Sequence, residues 1–162
     1  MKIARHGLLF ILPALGLALV FLAAGWVPAF GLFLLLAVAL TFFFRDPERR
    51  PPDGEQWLVS PADGRVLAVA PPAGPPGTAS PGIRLTIFLS LLDVHVTRAP
   101  GAGTVGALDY RPGRFLPAYR PEAGEVNESC ALDIRGGAAD IHLRQIVGVA
   151  ARRIKCYLKE GD

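Results

Sequence analysis

The hydrophobic pattern divides the chain into two regimes. From residue 7 to residue 44 no side chain is charged. A helix rises about 1.5 Å per residue and needs about 20 residues to cross a bilayer, and this run is roughly twice that length, so it predicts two short spans. The break falls at Gly25-Trp26-Val27-Pro28, where Gly and Pro favour a turn and Trp favours the membrane interface. Beyond residue 44 the apolar residues come in short runs punctuated by Gly and Pro, which is strand-and-turn patterning.

The most informative of those runs is IFLSLLDVHVTRAPGAG, residues 87–103. Ile87, Phe88, Leu89, Leu91, Leu92, Val94 and Val96 predict a largely buried strand that delivers Asp93, His95 and Arg98 to its end, closed by Pro100-Gly101. Two readings of the polar triplet stand side by side. Asp93 and Arg98 are solvated rim charges and His95 is a core-edge histidine bonded to a carbonyl, or the three belong to a site.

The remaining segments are read in relation to that strand. WLVSPADGRVLAVA (57–70) predicts strand, turn, strand, with Asp63 on the turn. Residues 71–82, PPAGPPGTASPG, are too rich in Pro and Gly for a regular element and predict a loop. Residues 103–110 alternate as a further strand, and Arg111-Pro112-Gly113 turns the chain. Residues 115–130 predict an irregular segment that brings Glu125, Asn127 and Glu128 together, as acid/base groups, ligands or a solvated loop. Residues 140–157 carry strand-like runs, with His142 read as a strand-face residue. No internal repeat, glycine-rich phosphate loop or HExxH-type metal motif occurs, so neither a metal nor a nucleotide site is expected.

Composition adds a membrane context. The chain is 51% hydrophobic over 162 residues, high for a soluble domain. Of 17 Lys and Arg, only Lys2 and Arg5 precede the apolar run, leaving 15 against 14 acidic residues in the rest. That balance offers no polyanion-binding surface, and nucleic acid is not an expected partner. Arg45, Arg49 and Arg50 follow the second span, so by the positive-inside rule both ends lie in the cytoplasm. The run is too long for a signal-peptide core, and an interfacial re-entrant hairpin is the remaining alternative. Cys130 and Cys156 have no metal-ligand spacing and form no disulfide framework, which fits a reduced, cytoplasm-facing body. The expected domains are a membrane-anchoring hydrophobic hairpin over 1–44 and a β-rich domain over 45–162.

Five stretches in order, FFFRDPERRPP, VSPADGRV, IFLSLLDVHVTRAPGAG, GRFLPAYRPEAGEVNES and QIVGVAARRIKCYLKEGD, resemble the short form of the phosphatidylserine decarboxylases. The resemblance implies a mainly β, barrel-sandwich-like domain behind an α-helical transmembrane hairpin in the cell membrane. It implies a pyruvoyl-dependent carboxy-lyase of phospholipid biosynthesis that converts phosphatidylserine to phosphatidylethanolamine. Members make the pyruvoyl group from a Gly-Ser bond near the C-terminus, and its carbonyl captures the substrate amine and acts as an electron sink while carbon dioxide leaves. The resemblance assigns Asp63 to self-cleavage and His95 to acid/base chemistry, in cleavage, decarboxylation or both. Arg98, Glu125, Asn127 and Glu128 become candidates for substrate contact.

No Gly-Ser dipeptide occurs in the 162 residues. The expectation is therefore an incomplete proenzyme, a protein whose remainder is a separate chain, or a truncated product without activity, with truncation favoured over normal processing. Any pyruvoyl group would come from a C-terminal serine absent from this chain, on a small partner chain if the protein is processed. Phosphatidylserine and membrane lipid are the other expected partners, and a homo-oligomer is left open. The competing reading is a membrane-anchored, catalytically inactive binding or scaffold domain.

Overall fold

A computed structural model of the chain describes residues 2–54, 56–72 and 82–162. Two compact units emerge, one formed by Met1–Arg50 with Pro61–Arg98 and the other by Pro51–Ser60 with Ala99–Asp162. Residues 61–98 thus cluster with the apolar helices rather than with the rest of the β-rich sequence.

In the first unit, strand β1 (Lys2–Ile3) and a short 3-10 turn lead into α1 (Leu8–Ala23), and α2 (Val27–Phe43) follows after a break at 24–26. The break is where Gly and Pro predict it. Gly25 takes a φ of +73°, in the left-handed region that suits glycine, and Pro28 sits in the first turn of α2, where its missing N–H costs nothing. Phe21 stacks on Phe33 at 5.4 Å and Phe10 on Phe44 at 5.6 Å, so the helices lie antiparallel. Ile11, Ala14 and Ala18 of α1 and Ala37 of α2 are buried, and these mostly small side chains let the two backbones approach closely. The outer faces are bare leucine and valine: Leu9, Leu12, Leu19, Leu35 and Val38 are all exposed.

Among the described residues, one helix, Arg5–Ala23, is long and apolar enough to cross a membrane by length and composition. The 17 residues of α2 reach only the short end of the spanning range of about 17–25. Strand β2 (Arg45–Asp46) then pairs antiparallel with β1.

The same unit contains a two-stranded ribbon, β3 (Arg65–Ala70) antiparallel to β4 (Arg84–Phe88), with a register irregularity between Val66 and Ala68. The turn before β3 ends at Gly64, whose φ is +118° and whose Cβ position would run into the Phe88 carbonyl, so a side chain there is excluded by both conformation and space. The loop expected over 71–82 falls largely on residues 73–81, outside the described residues.

Two expectations fail around this ribbon, the first in residues that belong to the second unit. Residues 57–60 form no strand, so the strand-turn-strand reading keeps only its turn and its second strand. The long buried strand over 87–96 stops at Phe88. The cause is local: both the Ser90 backbone N–H and the Ser90 hydroxyl donate to Asp93 Oδ2 at 2.7 Å, closing a side-chain-capped turn that competes with continued strand. Only Val94 of the run is deeply buried, while Leu91 and Leu92 point outward.

These bonds from Ser90 also hold the Asp93 carboxyl below its ordinary range, with His95 and Arg45 adding smaller contributions. A depressed folded-state pKa contributes stability that is present above the unfolded value, about 3.9, and is lost as pH falls through the folded one. Asp93→Ala is therefore expected to lower the melting temperature of detergent-solubilised protein at pH 7, with the gap to the native chain closing as pH drops below about 4. A gap that stays constant on acidification would show that the ionised carboxylate does not hold the turn.

The second unit is organised on a three-stranded antiparallel sheet in the order β5 (Thr104–Arg111), β6 (Ser129–Arg135), β7 (Ile141–Ile146). Strand β6 is central and almost continuously buried, Cys130, Ala131, Leu132 and Ile134 forming the core with Val105, Ala123 and Val147. Strand β7 alternates inward and outward residues, as a half-buried edge strand should. The expected irregular segment contains one short helix, α3 (Ala123–Val126). Both cysteines are free thiols; burial and then the neighbouring Cys156 push the Cys130 thiol up. Among the described residues the strands form sheets of two, two and three members with open edges and no closed barrel.

Candidate active site

His95 lies in the first unit on extended chain just after the Ser90–Asp93 turn. Its ring packs on Phe43 at the end of α2, with centroids 4.3 Å apart. Its Nδ1 is 3.0 Å from the Asp93 carbonyl oxygen. A carbonyl only accepts, so Nδ1 carries the hydrogen and Nε2 is left with a lone pair able to take a proton. His95 is therefore a carbonyl-bonded ring at the edge of apolar packing.

The SPADG turn is joined to this segment by a backbone bond from the Arg98 N–H to the Pro61 carbonyl, 2.8 Å. Asp63, two residues along, receives Arg49 Nη2 at 2.5 Å on its Oδ2. Arg98 turns its guanidinium to the Asp46 carboxylate and to the Pro47 carbonyl, the latter at 2.8 Å. Arg45 donates to the Phe42 carbonyl at 2.8 Å and to the Leu92 carbonyl at 2.5 Å, and its guanidinium lies 3.9 Å from the centroid of the Phe42 ring.

The junction FFFRDPERR is thus a clasp. Phe43, Arg45, Asp46 and Arg49 hold the two motif segments that carry Asp63 and His95 against the end of α2. Sequence reasoning reads these arginines as topology markers at the level of lipid head groups. Their partners lie 47, 52 and 14 residues away for Arg45, Asp46 and Arg49, which local pattern does not reveal.

Glu125, Asn127 and Glu128 belong to the second unit. Glu125 is an exposed residue of α3. Asn127 is only 2% exposed: its Oδ1 accepts the Leu116 N–H at 2.9 Å, and its Nδ2 donates to the Leu116 and Val147 carbonyls at 2.8 and 2.9 Å. That side chain is spent on backbone groups that would otherwise be buried without partners. Desolvation first, and the neighbouring Glu128 carboxylate second, push the Tyr110 phenol up. His142, read as a strand-face residue, is on β7 with Nδ1 2.7 Å from Asp133 of β6. Among the described residues no group of three or more His, Cys, Asp or Glu is arranged to hold a metal ion.

A profile of the phosphatidylserine decarboxylase family matches residues 36–162. The chain belongs to the phosphatidylserine decarboxylase family. Curated relatives carry the name phosphatidylserine decarboxylase proenzyme. One from Carboxydothermus hydrogenoformans is 43% identical over 131 residues, covering 81% of this chain and 62% of the relative. One from Salinibacter ruber is 44% identical over 147 residues, covering 85% and 65%. A third, from Syntrophus aciditrophicus, is 39% identical over 165 residues, covering 99% of this chain and 76% of the relative. The chain thus spans under two thirds of the length of the first two decarboxylase relatives. The matched region takes in the clasp, the SPADG turn, the DVHVTR segment and the Asn127 loop.

Proposed function

We propose that this chain supplies the membrane anchor and most of the active site of a phosphatidylserine decarboxylase, which converts phosphatidylserine to phosphatidylethanolamine at the cell membrane. The observation that carries the proposal is the clasp: the two segments bearing the candidate catalytic residues are tied to the exit of an apolar helix pair. A phospholipid head group would meet acid/base chemistry at that level. On this reading α1 and α2 form a transmembrane hairpin with both chain ends in the cytoplasm, and residues 45–162 form the decarboxylase body. Closure of that body into a barrel-sandwich would draw on family length that this chain does not span.

The family's pyruvoyl group supplies an electron sink for loss of carbon dioxide. With no Gly-Ser pair in the 162 residues, none of these residues is the source of the group, and in this reading a Gly-Ser segment of the kind the family carries near its C-terminus supplies it. What this chain contributes is proton handling and orientation. His95, held through Nδ1, presents Nε2 to move a proton at the substrate carbon once carbon dioxide has left. Asp63, held by Arg49, serves formation of the group. Arg98 fixes the segment through Asp46, and Asn127 shapes the loop that carries Glu125 and Glu128.

A cell that lacks phosphatidylserine decarboxylase activity provides the test. The chain co-expressed with the C-terminal Gly-Ser segment of a relative is expected to restore phosphatidylethanolamine and remove accumulated phosphatidylserine in lipid extracts. Unchanged lipids, with both polypeptides present in the membrane fraction, would count against the assignment. Reporter fusions at the N-terminus and after Arg50 address the anchor separately, and either reporter outside the cytoplasm would overturn the topology.

A further inference from the structure

Leu91 and Leu92 are 59% and 70% exposed, an adjacent leucine pair in a turn held at both ends. Asp93 fixes the start of that turn through Ser90. Arg45 fixes its far side by donating to the Leu92 carbonyl while its guanidinium covers the ring of Phe42. The leucines are thus displayed on a constrained backbone, where a flexible loop could have folded them inward.

We propose that the Leu91-Leu92 turn is a second membrane contact, entering the head-group layer and upper acyl region of a phospholipid bilayer beside the end of α2. The proposal rests on the reading of α1 and α2 as membrane-embedded. An arginine that closes an apolar helix sits at the depth of the lipid phosphates, its stem along apolar surface and its charge in the polar layer. The Leu92 carbonyl is one hydrogen bond from that arginine, so the turn shares its depth. Phe42 is also exposed, which makes the leucines continuous with the apolar surface of α2. Exposed Arg50 follows in sequence, and apolar side chains next to Arg45 and Arg50 match a phosphate layer over acyl chains rather than a protein groove. The turn leads directly into Asp93, Val94 and His95. A turn seated in the head-group layer would hold the candidate acid/base residue at the level where a lipid head group is presented.

The test uses the whole 162-residue chain in vesicles of phosphatidylglycerol and phosphatidylcholine. Nitroxide labels are placed at Leu92→Cys and, separately, Leu91→Cys in a Cys156→Ser background, since Cys130 is buried. Leu35→Cys on the outer face of α2 reports on the helix pair, and Tyr119→Cys, an exposed position of the second unit, gives the aqueous reference. Collision with oxygen is compared with collision with a water-soluble nickel chelate. The expected result is an oxygen-to-nickel ratio at least several-fold above that at Tyr119 for both leucine positions, with a depth near the phosphates. If Leu35 is lipid-exposed while Leu91 and Leu92 match Tyr119, the turn is aqueous and the proposal falls with the anchor intact. If Leu35 also matches Tyr119, the anchor reading fails and takes the proposal with it. Labels shielded from both reagents would mean that protein, not lipid, covers the turn, and would equally overturn it.

Discussion

Replacing His95 with alanine is expected to slow decarboxylation by about 10²–10⁴-fold, the usual worth of positioned acid/base assistance, even in molecules that already carry the pyruvoyl group. The protein for this measurement is one of full family length that contains this chain. The expectation follows from the ring's geometry: Nδ1 is committed to the Asp93 carbonyl and the face to Phe43, which leaves Nε2 as the one ring atom able to exchange a proton. Asp63→Asn is expected to act at the earlier stage, blocking chain cleavage, because the Arg49 pair loses its charge and the SPADG turn its anchor. Cleavage is read by mass analysis and turnover is normalised to the cleaved fraction, after circular dichroism and melting show native-like folding. Normal turnover per cleaved His95→Ala molecule would make His95 a packing residue. Unimpaired cleavage in Asp63→Asn would leave Asp63 as a turn residue.

The second large effect is on stability. Asn127→Ala removes three hydrogen bonds at once from a 2%-exposed site and strands the Leu116 N–H and the Leu116 and Val147 carbonyls. With a typical net worth near 1 kcal/mol per bond and a further penalty for buried groups left unpaired, the loss is on the order of 2–4 kcal/mol. Denaturant unfolding of the solubilised protein measures it. A loss below about 0.5 kcal/mol, within the range of ordinary surface substitutions, combined with a raised KM in the full-length enzyme, would instead return Asn127 to direct substrate contact.

What the sequence makes legible is what depends on neighbours in the chain. The charge-free run with its Gly25 and Pro28 break predicts α1 and α2, and alternation predicts β5 and the strand-face position of His142. Strand β4 ends where local pattern would continue it. The run from Ile87 to Val96 keeps strand-like apolar composition, yet Asp93 captures the Ser90 N–H and ends the strand. A three-residue side-chain contact outweighs the pattern because it satisfies the backbone locally, and it turns two leucines outward that periodicity would bury.

Candidate residues can be named from the sequence, but not the contacts that hold them. Asp63 and His95 stand in recognisable motifs, whereas the roles of Arg45, Asp46 and Arg49 depend on contacts that only folding creates. Arg98 and Asn127 show the converse, since polar side chains that look available for substrate in the sequence are occupied in the fold by Asp46 and by backbone amides.

On the proposed reading these 162 residues contribute proton handling to decarboxylation, and the pyruvoyl group comes from a Gly-Ser pair that they do not include. Carbon dioxide release from carboxyl-labelled phosphatidylserine, measured on the purified chain in mixed micelles with and without a co-purified Gly-Ser segment from a relative, tests it most directly. Release is expected only from the assembled pair. Turnover by the 162-residue chain alone would contradict the claim about the cofactor, and an assembled, cleaved and pyruvoyl-bearing pair that releases no carbon dioxide would contradict the claim about the site.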